Sequence, residues 1–269
     1  MLIANARMYS VNAQTATAWR SLLEWVIERA GVLAEAIDYP PPRPMASLWA
    51  RPDLGCAFTC GYPYALAAPK PALLAAPVPS PGAYGGKPVY WSDIVVRADA
   101  PWVALNDVFG HRLAYTIEDS QSGYQAAREL LAPYARERGG RLFTATIGPL
   151  LTPRRVAEAI IAGEADVGPL DSYAHDLIRL HEPELAARLR TIAKTTPTPI
   201  PPLVAAPGIA TADAGRLRAA LLDIAGADEL RSIRSALLLD GFVLVEPEDY
   251  GVLLERARAA DRHGYPRLA

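Results

Sequence analysis

Apolar residues recur along this chain with two different periods, and the switches between them mark out its elements. Residues 2–6 form a short apolar run that predicts a buried strand. Over 15–32 the apolar positions Trp19, Leu22, Leu23, Val26, Ile27 and Ala30 follow i, i+3, i+4 spacing, which predicts an amphipathic helix. The cluster Pro40-Pro41-Pro42-Arg43-Pro44 imposes an extended connector, since proline fixes its backbone and lacks a donor. One or two helical turns over 45–50 precede a strand over 54–59. The proline- and glycine-rich stretch 69–86 reads as loop around a short strand. The β-branched and aromatic run 89–98 reads as a strand.

From 112 to 180 the alternation is clean. Strands are expected over 112–117, 141–147 and 165–170, and helices over 122–137, 153–162 and 172–180. That βαβαβα order predicts a parallel sheet with covering helices. Beyond it come a strand over 189–194, a proline-rich stretch over 197–202 and a strand over 203–206. Helices over 213–224 and 227–236, a strand over 241–244 and a helix over 248–263 complete the chain. The layout suggests two α/β lobes. Lobe 2 is continuous, 96–194; lobe 1 is discontinuous, 1–95 plus 195–269. Two chain crossings between such lobes would form a hinge and make a closable cleft.

Composition narrows the function. With 51% hydrophobic and 21% charged residues, the chain has enough apolar surface to fold, so disorder is excluded as its description. The 27 basic residues against 29 acidic, net −2, with no basic stripe, argue against a nucleic-acid partner. The uncharged stretches 54–69 and 71–86 are broken by Gly and Pro and fall short of the ~20 apolar residues of a membrane helix, so no membrane insertion is expected. The N-terminal apolar run stops at Asn5, shorter than the ~7–15 residues of an export signal. That leaves a cytosolic protein or one whose leader was removed. Cys56 and Cys60 have no zinc spacing and no nearby His pair, and the four histidines are scattered. Neither a metal nor a cofactor is expected.

The stretch that carries chemistry runs Arg112-Leu-Ala-Tyr-Thr-Ile-Glu-Asp-Ser-Gln-Ser-Gly-Tyr124: a strand, then Asp119-Ser120-Gln121-Ser122-Gly123, then a helix. The first turn of a helix leaves backbone N–H groups unsatisfied, and the helix dipole favours an anion there. Ser120 and Ser122 add hydroxyls, and Gly123 allows close approach of the backbone. The same residues also read as ordinary N-caps.

In this order, several motifs resemble one family. Met8-Tyr9 follows the opening strand, and Leu54-Gly-Cys-Ala-Phe-Thr-Cys-Gly-Tyr-Pro63 comes next. Tyr90-Trp-Ser-Asp-Ile-Val-Val-Arg97 matches a Tyr-x-Ser-x-Ile-Val-Val-Arg pattern, and the Asn106–Gly110 turn an Asp-Leu-x-Gly pattern. Ser120-Gln-Ser-Gly123 and Ala162-Gly-Glu-Ala-Asp-Val-Gly-Pro-Leu-Asp171-Ser172 follow, with a Thr195–Pro202 return segment. The chain thus resembles the phosphate/phosphite/phosphonate substrate-binding proteins of ABC transporters, which have the type 2 periplasmic-binding-protein fold.

The resemblance implies a two-lobe α/β fold with two hinge crossings, a small oxyanion-bearing ligand, a permease partner, a monomer and a periplasmic location. It implies that Ser120, Gln121, Ser122 and Gly123 hold the oxyanion. Tyr9 and Tyr90 would line the cleft, with Thr59, Cys60, Gly61 and Tyr62 near it. Asp171 would meet a ligand amine, or else only cap the following helix; each tyrosine is also open to a packing role. The chain departs from the family at Gly148-Pro149-Leu150, where many relatives carry Ser-His; this leaves room for a less charged or more apolar ligand. The alternative reading is a cytosolic enzyme on the same fold acting on a small carboxylate, of the kind that serves menaquinone- or thiamine-precursor synthesis. Its candidate bases are Glu118, Asp119, Asp171 and His175. A cytosolic ligand sensor is a third reading.

Overall fold

The structure is a computed structural model that describes every residue, Met1–Ala269. The strands of its two larger sheets are β1 (Leu2–Asn5), β2 (Ala34–Ala36), β3 (Leu54–Phe58), β4 (Ala72–Pro79), β5 (Ser92–Arg97), β6 (Arg112–Ala114), β7 (Ala145–Ile147), β8 (Val167–Asp171), β9 (Leu189–Lys194), β10 (Leu203–Ala205) and β11 (Leu239–Val243). The helices that matter below are α1 (Ala13–Ala30), α2 (Gly61–Leu66), α3 (Ala126–Glu137), α4 (Pro153–Ile161), α5 (Ser172–His181), α6 (Thr211–Asp223) and α7 (Gly251–Arg262).

The chain divides into two compact units. Unit 1 is Met1–Val89 with Pro199–Tyr250, and unit 2 is Tyr90–Thr198 with Gly251–Ala269. The expected lobe 1 ran to residue 269; the structure instead places 251–269 in unit 2, so the chain passes between units three times rather than twice. The reason is packing. Ala260, Tyr265 and Leu268 complete a core with Leu131, Leu142 and Phe143. The Leu142 N–H also donates to the Ala269 carbonyl at 2.8 Å.

Unit 1 is built on a six-stranded sheet in the order β11-β4-β10-β3-β1-β2. β1 pairs in parallel with β2 and β3, and β10 pairs antiparallel with β3 and β4. α1 begins at Ala13 because Asn12 and Thr15 form a reciprocal capping box, and it stops at Gly31 in the left-handed conformation. Its buried face, Trp19, Leu22, Leu23, Val26 and Ala30, is the apolar stripe of the sequence. β4 is longer than the sequence suggests. Pro77 and Pro79 sit in the half of this eight-residue strand that pairs with β11 alone, and the register shift in β11 between Leu239 and Gly241 accommodates them.

Unit 2 carries a five-stranded sheet in the order β9-β5-β8-β6-β7. β6, β7 and β8 are mutually parallel as the alternation predicts, while β5 and β9 add antiparallel strands. Period-two alternation splits the core. Ile94, Val96 and Leu113 face α3 on one side; Val95, Ala114 and Leu170 face α4 on the other. β6 ends at Ala114, earlier than expected, and β7 begins only at Ala145. The backbone of Tyr115 and Thr116 instead receives hydrogen bonds from the N–H groups of Leu150 and Leu151. No helix of the protein is long and apolar enough to cross a membrane.

Candidate functional site

The carboxyl ends of parallel strands are where open α/β sheets present their ligand contacts. In unit 2, two such ends, those of β6 and β8, lead into the residues singled out above. After β6 the chain makes a π turn, Gln121–Gln125, before α3 continues as an α-helix. Wide turns of this kind are costly in regular structure and recur at functional sites. Ser120 caps it: its hydroxyl accepts from the Gly123 N–H at 3.0 Å, and its carbonyl accepts from the Gln125 N–H at 3.0 Å. Gly123 must be glycine. A Cβ there would lie 1.9 Å from Thr116 Oγ1.

Ser122 joins the turn to the rest of the unit. Its hydroxyl donates to Asp171 Oδ2 at 3.2 Å, and its carbonyl accepts from the Ser92 hydroxyl at 2.7 Å. Ser92 is held in turn by Thr195, whose hydroxyl accepts from the Ser92 N–H at 2.8 Å. Asp171 ends β8 and caps α5, accepting from the Ala174 N–H at 3.0 Å. It is 5% exposed. Burial pushes its carboxyl up to about 7, against the lowering effect of the bonds from Ala174 and Ser122. Thus Ser120–Gly123 and Asp171 come together in one unit. They offer hydroxyl and amide donors beside a carboxyl that is half-protonated near neutrality, and none of them carries a positive charge.

The other candidates fall elsewhere. His175 is buried with its Nδ1 2.8 Å from Asp93 Oδ2. Burial alone would raise the Asp93 carboxyl, but the His175 contact and the charge of Arg179 hold it below the usual value. Glu118 and Asp119 are exposed. Tyr90 is fully buried at the start of unit 2. In unit 1, Tyr9 is fully buried with its ring edge-on to Phe58 at 5.0 Å. Thr59 donates its N–H to the Pro202 carbonyl at 3.0 Å, and Cys60 precedes the short helix α2, in which Gly61 is buried and Tyr62 half-buried.

Unit 1 also holds a cavity of about 400 Å³ where β1 and β2 end and α1 begins. Its polar lining includes Asn5, Arg7, Ser10, Asn12 and Tyr39, with Arg20 paired to Asp38. Arg7 and Arg43 stack on the Tyr39 ring at 5.8 and 5.6 Å. The sequence reading passed over Arg7 and Tyr39. The available signal was an aromatic residue immediately before the proline cluster. Thr116 and Ser92 were also passed over, and only the folded neighbourhood marks them.

The family described as "ABC transporter, phosphonate, periplasmic substrate-binding protein" matches residues 10–250. No curated protein matches the sequence. Among solved structures, a binding-protein component of an ABC phosphonate transporter from Pseudomonas aeruginosa is 17% identical, with a TM-score of 0.79 over 98% of this chain and 88% of its own. PhnD1 from Prochlorococcus marinus, solved with methylphosphonate, is 15% identical, with a TM-score of 0.77 over 97% of this chain and 98% of its own. A chloride-bound protein from Xanthomonas citri is 21% identical, with a TM-score of 0.67 over 98% of each chain. At these identities the likeness shows the fold, that of the two-lobe periplasmic binding proteins.

Proposed function

The chain belongs to the family of phosphonate-binding periplasmic substrate-binding proteins of ABC transporters, and from that premise we propose that its unit 2 holds a phosphorus oxyanion on Ser120, Gln121, Ser122 and Gly123, with Asp171 beside it. The observation that supports this reading is the Ser122–Asp171 contact of 3.2 Å at the head of a capped helical turn. An anion there meets first-turn N–H groups and two hydroxyls. A ligand amine or a protonated anion oxygen meets Asp171. In unit 1, we assign ligand contact to Thr59, Cys60, Gly61, Tyr62 and the cavity residues Arg7 and Tyr39. The protein acts by binding and hands its ligand to a permease as a monomer; it makes and breaks no bond.

Calorimetry with methylphosphonate, 2-aminoethylphosphonate, phosphite, phosphate and sulfate tests the assignment. Ser122→Ala removes one donor to a charged group, so binding of the preferred ligand weakens by about 1–3 kcal/mol. An unchanged dissociation constant rejects the cradle.

One observation favours an enzyme instead. A buried carboxyl with a value of about 7 beside a hydroxyl is what a general base looks like. The ³¹P spectrum of a phosphonate held with the protein separates the two. We expect it to shift on binding and show no new product; a product would establish turnover.

A further inference from the structure

Two donors of the unit 2 turn described above are already engaged within the protein, and a third hydroxyl packed against it is not. The Gly123 N–H donates to Ser120 and the Ser122 hydroxyl to Asp171. The Thr116 hydroxyl has no hydrogen-bond partner, although the residue is only 4% exposed. A buried hydroxyl left unpaired is costly, and native structures rarely keep one. Its backbone, by contrast, is fully used. The Thr116 N–H donates to the Gly123 carbonyl at 3.4 Å, and its carbonyl accepts from the Leu151 N–H at 3.0 Å. The residue is therefore fixed between the turn and the loop that follows β7.

The direction of the hydroxyl is informative. Oγ1 stands 1.9 Å from where a Cβ of Gly123 would be. In a helical turn the Cα–Cβ bond tilts toward the N-terminus. Oγ1 thus packs against the Cα of Gly123, within the first residues of the turn that Ser120 caps. Asp171, at the end of β8, is on the parallel neighbour of β6, and Thr116 follows β6 by two residues.

We propose that Thr116 is a further ligand-binding residue of this site, its hydroxyl donating to an oxygen of the bound oxyanion. The inference rests on the oxyanion reading of Ser120–Gly123. It gives the orphaned donor a partner in the occupied protein alone. A contact made only in the occupied state raises affinity without stabilising the empty protein. The absence of a side chain at Gly123 is what leaves the space for it.

The effects on stability and on binding therefore have opposite signs. In Thr116→Val, the shape is kept and the hydroxyl lost. We expect its ligand-free melting temperature to equal or exceed that of the wild-type protein, while its dissociation constants for methylphosphonate and inorganic phosphate rise about tenfold. Thr116→Ser keeps the hydroxyl and retains wild-type affinity. A T116V protein that binds as tightly as wild type overturns the inference. So does one that melts lower without ligand, since the hydroxyl then has a structural partner. Weakening shared equally by T116S assigns the effect to the methyl group and also overturns it. If the wild-type protein itself binds neither probe, the oxyanion reading has failed, and this inference goes with it.

Discussion

Asp171 caps a helix and faces the Ser122 hydroxyl with the same buried carboxyl, and those two roles have opposite electrostatic preferences. Bonds from Ala174 and Ser122 favour the ionised form; removal from water favours the neutral one and prevails, leaving the group at about 7. An unfolded aspartate titrates near 3.9, so between about pH 4 and 7 the folded protein binds the extra proton. Stability from this residue is therefore greatest below about pH 4, falls as pH rises, and levels off above pH 7. Asp171→Asn keeps a good cap and removes the titration. The upper bound is three pK units, about 4 kcal/mol, less about 1 kcal/mol for a weakened hydrogen bond. The variant should thus be more stable than wild type by about 1–3 kcal/mol at pH 8, with the advantage gone near pH 4. Urea unfolding at the two pH values measures this, and an equal effect at both would reject the raised carboxyl. The sequence showed Asp171 as a strand-end acid and helix cap. Its protonation could not be read there, because it depends on burial by β5 and the Ser122 turn.

At the scale of elements, α3 is held through its first turn. Arg128 is buried and donates to Gln125 Oε1 at 3.0 Å, to the Ala257 carbonyl at 2.9 Å and to the Tyr265 carbonyl at 3.3 Å, and it pairs with Asp261. One guanidinium thus ties the helix that starts at the site to α7 and the C-terminal tail. Arg128→Met keeps the stem but strands those acceptors, and should cost about 2–4 kcal/mol in urea unfolding. A loss under about 0.5 kcal/mol, the level of an ordinary surface substitution, would show that packing alone holds the two helices. Periodicity revealed α1, α3, α4 and α5 because each buries one continuous face. It undercalled β4, where Pro77 and Pro79 argue locally against a strand but lie in the half that pairs with β11 alone, a one-sided pairing that tolerates proline. It overcalled β7, since residues 141–144 have strand-like composition but no partner strand.

For the whole molecule, the division into units sets what a truncation does. A chain ended at Tyr250 loses α7 and the tail, which belong to the unit 2 core rather than to the nearer unit in sequence. Limited proteolysis of that chain should cut first within 90–198 and spare the unit 1 sheet; preferential loss of 1–89 would contradict the division. By itself the sequence determined the α/β class, the order of most elements, the strand–turn–helix at Ser120–Gly123 and, through its motifs, the family. These are set by periods and turn residues that act over a few positions. Only the tertiary structure decided the strand order in each sheet, the home of residues 251–269, the protonation of Asp171 and the unpaired hydroxyl of Thr116. Each of those depends on which distant segments come into contact and how much water they exclude. Burial and pairing are properties of the assembled chain, and no local pattern encodes them.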